Sequence, residues 1–101
     1  MSRADHIGRW LGRVAAVGCI VCMLAGQPGT PAEVHHIRTG QGGAQRAPDT
    51  LTIPLCPEHH RGATGLHADR ELFCLMWGSE LELLAKTIEQ IAKTLHLEDK
   101  L

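Results

Sequence analysis

Aromatic residues are scarce in this chain. Trp10, Phe73 and Trp77 are the only three in 101 residues, and tyrosine is absent. A single small domain with so few large side chains builds a modest core and needs a further source of stability. No apolar run reaches membrane length either. The stretch 14–25 is about a dozen residues broken by Gly18, against the roughly 20 that a spanning helix requires. Only 14–17 would serve as the apolar part of a signal peptide, against the usual 7 or more, so the sequence predicts neither secretion nor a membrane anchor. The expected compartment is cytoplasmic, where thiols stay reduced and paired cysteines signal metal more often than disulfide. Net charge is -1, which excludes a uniformly basic nucleic-acid binder. Lysine is missing before Lys86, however, and residues 1–62 hold six arginines against four acids. Guanidinium forks match phosphate geometry, so that half is the one expected to meet phosphates.

What the chain does have is histidine and cysteine. Of its seven histidines and four cysteines, His35, His36, His59, His60 and His67 with Cys19, Cys22 and Cys56 fall between positions 19 and 67. Around them the pattern predicts an α+β domain. Ile7, Trp10, Leu11, Val14 and Val17 recur at helical spacing, with Gly18 as the stop. Residues 33–38 (EVHHIR) and 50–55 (TLTIPL) read as short strands, the second at an edge because of Pro54. A polar glycine-rich loop, 39–49, joins them, and Cys56 opens a helix or turn before a bend at 62–65. Ser79 and Glu82 form a capping box for a long C-terminal helix, about 79–97, with Leu81, Leu84, Ile88, Ile91 and Leu95 as its apolar stripe. A core-packing helix or a weakly dimerising one both fit that stripe. The chain is therefore expected to be a monomer or weak dimer forming one domain over 1–101.

Cys19-x-x-Cys22 and Cys56-x-x-His59 have the spacing that lets two side chains reach one tetrahedral ion from a single tight turn. Together they predict a structural zinc of three cysteines and one histidine. A thioredoxin-like role for Cys19 and Cys22 lacks the surrounding βαβ pattern. Cys74, in an apolar stretch, reads as an inert buried thiol, with replacement of His59 as its alternative. His6 and His96 read as solvated. Neighbouring residues of a strand point to opposite faces. One of His35 and His36 can then bind a metal while the other meets substrate. His35, His60 and His67 are the candidates for a second, catalytic divalent ion, with His36 as general base and Arg38, Arg46 and Arg61 as phosphate contacts. Imidazole donors favour Zn2+, Ni2+ or Mn2+ by softness.

The strings EVHHIR, TIPLCPEHHRG and the later LH resemble the HNH, or ββα-metal, nucleases. The likeness is closest to the recombination enhancement function (Ref) family of phage and prophage RecA-dependent nucleases, and runs over about 14–78. It implies a treble-clef-like ββα-metal core between an N-terminal helix and the C-terminal one. It implies His35 as a catalytic metal ligand, His36 as the base, His60 as the final HNH histidine and a metal ligand, and His67 as the family's additional histidine. Cys19, Cys22, Cys56 and His59 take the structural zinc positions, and Arg46 lies in the loop facing DNA. The resemblance also implies a Mg2+, Mn2+ or Zn2+ cofactor and a RecA-type recombinase filament as partner. Two departures stand out. The middle Asn of HNH is missing, with Asp49 or Thr52 in its region, and the chain opens almost directly at the domain without the long basic extension of the best-known branch.

The expected function is a metal-dependent DNA endonuclease of low sequence specificity. The rival is a non-catalytic treble-clef zinc module that binds nucleic acid or a protein partner. A coiled-coil adaptor using 80–97 is a third reading.

Overall fold

Seven short elements follow one another in the computed structural model, which describes the backbone of residues 3–100 and the side chains of 8–95. They are α1 (Arg3–Val17), α2 (Ile20–Leu24), β1 (Glu33–His36), β2 (Thr52–Leu55), α3 (Pro57–Arg61), α4 (Arg70–Trp77) and α5 (Glu80–Lys100). The side chains of Ile7, His6 and His96 lie outside the described residues, and with them the expectation that both histidines are solvated.

Gly18 ends α1 as its position suggested. Its φ of +78° is open to glycine, and a Cβ there would sit 3.1 Å from the Thr30 carbonyl oxygen. The turn delivers Cys19, whose N–H donates to that carbonyl at 2.8 Å. Cys19 then caps α2, where a turn alone was expected: its sulfur accepts from the Cys22 N–H at 3.5 Å.

β1 and β2 form an antiparallel pair in the register Glu33–Leu55, Val34–Pro54, His35–Ile53 and His36–Thr52. Pro54 lacks an N–H, which a two-stranded ladder tolerates because every strand in it has an outer edge. All four residues of β2 are buried. The strand is packed by α1, α2 and α5, while α3 follows it and touches both strands. The order β1–β2–α3 therefore places the two ligand-rich segments side by side.

The core gathers Ile20, Val21, Ile37, Ile53, Leu55, Leu66, Phe73, Leu83 and Leu84 around the sulfurs of Cys19, Cys22 and Cys56. Phe73 is its one fully buried aromatic among the described residues. It lies on α4, a helix the sequence reading did not separate from its apolar surroundings. Asp69 starts it, accepting from the Leu72 N–H at 3.1 Å. The capping box of α5 is present: Ser79 Oγ accepts from Glu82 N at 3.1 Å, and Glu82 Oε1 from Ser79 N at 3.2 Å. Its buried stripe differs from the expected one. Leu83, Leu84, Thr87 and Ile91 face the core, whereas Leu81, Ile88 and Leu95 are exposed. Thr87 can be buried because its hydroxyl donates to the Leu83 carbonyl at 2.8 Å. Among the described residues, no helix is long and apolar enough to cross a membrane.

Candidate active site and metal centres

The two Cys/His pairs converge. Cys19, Cys22, Cys56 and His59 bring their ligand atoms within 4.8 Å of one another. His59 Nδ1 lies 3.6, 3.5 and 3.2 Å from the sulfurs of Cys19, Cys22 and Cys56, and Cys22 Sγ lies 3.9 Å from Cys56 Sγ. A tetrahedral zinc with Zn–S of about 2.3 Å and Zn–N of about 2.0 Å has S···S edges of about 3.8 Å and S···N edges of about 3.5 Å. The donor set therefore fits such an ion in both chemistry and spacing. The Trp77 ring meets His59 edge to face at 5.6 Å, covering the cluster from α4. His59, and not Cys74, completes the set; Cys74 is half-buried against the core.

The same short helix carries the second group. His60 follows His59, and strand alternation turns His35 toward it. His60 Nε2 lies 3.2 Å from His35 Nδ1 and 3.0 Å from His67 Nε2, the three forming a compact triad. His67 gets there through the bend at 62–65, which folds back so that its N–H donates to the His60 carbonyl at 3.0 Å and the Leu66 N–H to that of His59 at 2.9 Å. The glycines make this possible. A Cβ on Gly62 or Gly65 would meet the Glu58 carbonyl oxygen at 2.5 or 2.8 Å, inside any tolerable contact. Burial pushes the pKa of both His35 and His67 down, toward the neutral form that binds metals. For His35 the bond to Glu80 opposes that shift, and for His67 the neighbouring His60 adds to it.

His36 points the other way, as predicted from strand alternation. Its Nε2 lies 2.8 Å from Asp49 Oδ1, and the Arg46 guanidinium lies 3.1 and 3.3 Å from Nε2 and Nδ1. Thr52, its cross-strand partner, donates its hydroxyl to the Asp49 main-chain carbonyl at 2.9 Å. Asp49 thus meets His36 directly, and Thr52 holds the turn that presents Asp49. Among the other arginines, Arg38 donates to the carbonyls of Gln45 and, at 2.9 Å, Gly42, holding the glycine-rich loop that carries Arg46. Arg61 pairs with Glu33 at 2.8 Å while its side chain remains largely exposed.

Two carboxylates were not anticipated. Glu33 Oε1 lies 2.9 Å from His60 Nδ1, and hydrogen bonds from Arg61 and His60 hold its pKa down to about 2. Glu80 Oε2 lies 2.7 Å from His35 Nε2, and its side chain has no exposed surface. Burial pushes the Glu80 pKa up, but bonds from His35, the Arg38 amide, Thr39 and Arg70 outweigh it and bring the group to about 2. Glu33 had a signal: it shares a strand face with His35. Glu80 had none, since it is 45 residues away in the chain and reads as an ordinary first-turn acid.

The family model for recombination enhancement, RecA-dependent nucleases matches residues 6–92, which include every residue of both clusters. The chain belongs to this family. The match extends beyond the 14–78 expected from the motifs and takes in most of α5. Over 71 residues the chain is also 38% identical to the uncharacterized protein YdfU of Escherichia coli strain K12, covering 68% of the chain and 19% of YdfU. The chain thus spans about a fifth of the length of that relative.

Proposed function

We propose that this member of the RecA-dependent nuclease family is a metal-dependent DNA endonuclease of the HNH type, with β1, β2 and α3 as its ββα-metal core. The observation that carries the reading is the division of one histidine pair. His35 joins the His60–His67 triad, while the adjacent His36 is held by Asp49 at 2.8 Å. The Cys19, Cys22, Cys56 and His59 set would hold a structural zinc that anchors α3, and with it His60. His35, His60 and His67 would hold a catalytic divalent cation, Mg2+, Mn2+ or Zn2+. When bound there, that cation supplies charge to the scissile phosphate and its leaving oxygen.

With its Nε2 proton donated to Asp49, His36 keeps Nδ1 as the basic nitrogen, the way a carboxylate fixes the tautomer of a catalytic imidazole. Nδ1 takes a proton from a water as that water attacks phosphorus. The bond to the 3′ oxygen breaks, leaving a 5′-phosphate and a 3′-hydroxyl. Arg46, beside the His36 ring, moves onto a phosphate oxygen when substrate enters, and exposed Arg61 meets the flanking backbone. Arg38 acts on phosphate mainly by holding the loop that presents Arg46. Contacts of this kind read backbone and not bases, so sequence specificity is low. A RecA-type filament supplies the substrate, in keeping with the family's description.

The test is cleavage of supercoiled plasmid, and of DNA carrying RecA filaments, with Mg2+, Mn2+ or Zn2+. Wild type is expected to cut under at least one condition. His36→Ala should lose about 10²-fold or more in rate while keeping its fold and structural metal. No cutting by wild type under any condition, or equal cutting by the variant, overturns the proposal and favours a non-catalytic zinc module.

A further inference from the structure

A neutral imidazole carries its proton on one nitrogen and a lone pair on the other, and an ionised carboxylate can only accept. Glu80 faces Nε2 of His35, and Glu33 faces Nδ1 of His60. Glu80 accepts from the Arg38 and Thr39 amides and Glu33 from the Arg61 guanidinium, so both carboxylates face their histidines as acceptors and the protons belong on His35 Nε2 and His60 Nδ1. That leaves His35 Nδ1 and His60 Nε2 facing each other at 3.2 Å as two lone pairs, with His67 Nε2 3.0 Å from the second. No hydrogen bond joins like lone pairs. A cation placed among them satisfies both.

We propose that Glu80 is a positioning residue that locks His35 into the tautomer binding metal through Nδ1, and that Glu33 locks His60 in the opposite tautomer, binding through Nε2. This rests on reading the triad as a metal centre. Of the two, Glu80 is the firmer. Its carboxylate accepts from the Arg38 amide at 3.1 and 3.0 Å, from the Thr39 amide at 3.0 Å and hydroxyl at 2.7 Å, and from the Arg70 guanidinium. So many donors fix the group in place and keep it anionic away from water, which also makes the His35 lone pair a better donor to metal. Glu33 is partly exposed and shares its oxygens with Arg61, so its grip on His60 is looser. The arrangement ties the triad to the first turn of α5 and, through Arg70, to α4.

Long-range proton–nitrogen correlation spectra of the unaltered chain, carrying one equivalent of zinc at pH 7.5, read the tautomers directly. The proposal expects the His35 proton on Nε2 and the His60 proton on Nδ1; a His35 proton on Nδ1 overturns it. Calorimetric titration with Co2+ as the probe then gives a second readout. Glu80→Gln keeps the size but removes the charge, and should weaken binding at the triad about 10–100-fold. Affinity within twofold of wild type overturns the proposal. If Glu80→Gln does not fold, the spectra of the unaltered chain decide alone. Neither readout involves cleavage. Correct tautomers in a chain that never cuts DNA would retire the nuclease reading only, whereas cutting by a chain with His35 protonated on Nδ1 would retire this one only.

Discussion

Withdrawing the metal from Cys19, Cys22, Cys56 and His59 is expected to unfold the chain. Three of these four residues are themselves members of the hydrophobic core, with Cys19 wholly buried and Cys22 and Cys56 nearly so. Structural zinc contributes about 10–16 kcal/mol of binding free energy in small zinc domains. The whole stability of a domain is about 5–15 kcal/mol. A zinc held there would therefore supply most or all of the net stability of a core whose only fully buried described aromatic is Phe73. Removing one ligand, as in Cys22→Ser, forfeits roughly a quarter of the binding term, about 2.5–4 kcal/mol. The assay is helical circular dichroism through a thermal melt, with released zinc followed by a chromogenic chelator. Chelation should abolish the cooperative transition and one equivalent of zinc should restore it. Cys22→Ser should melt well below wild type. An unchanged melt after complete zinc removal would show that the four residues do not depend on a metal.

Further expectations follow from particular positions. Gly65→Ala forces a Cβ to 2.8 Å from the Glu58 carbonyl and 3.0 Å from the Arg61 nitrogen, and should cost about 1–3 kcal/mol in denaturant unfolding and weaken metal binding at the triad by displacing His67. Gly43→Ala, with nothing within 4 Å of the added carbon, should change stability by less than about 1 kcal/mol. Leu84→Asp buries a charge at a position 7% exposed and should destabilise by about 4 kcal/mol or more, whereas Ile88→Asp, at 42%, should fold normally. Sedimentation of Ile88→Asp against wild type checks the dimer alternative: a mass that halves would show that α5 self-associates. Asp49→Ala should lower the DNA cleavage rate about 10²-fold or more, with the zinc content and melting midpoint of wild type retained.

The parts of this molecule that were legible in the sequence are those set by local spacing. Cys19-x-x-Cys22 and Cys56-x-x-His59 are each one turn, so the set could be assembled before any tertiary contact was known. The period of a strand separated His35 from His36, and the Ser79–Glu82 box marked the start of α5. His67 was nominated, but its direction depends on how the 62–65 bend packs against the Glu58 carbonyl, which spacing does not encode. The expected stripe of α5 holds at Leu84 and Ile91 but not at Leu81, Ile88 and Leu95, because α1, α2 and β2 all pack against the helix, covering Leu83 and Thr87 as well. Glu80 was missed for a related reason. A first-turn glutamate is normally solvated, and only the approach of the Arg38–Thr39 turn and Arg70 buries this one against His35.

Under the proposed function, one cluster of histidines and cysteines divides into a structural centre and a catalytic one. Anomalous scattering from crystals grown with zinc and Mn2+ locates both. A zinc peak is expected among Cys19, Cys22, Cys56 and His59, and a second metal peak among His35 Nδ1, His60 Nε2 and His67 Nε2. A single peak at the cysteine site, with the triad empty at saturating metal, would contradict it.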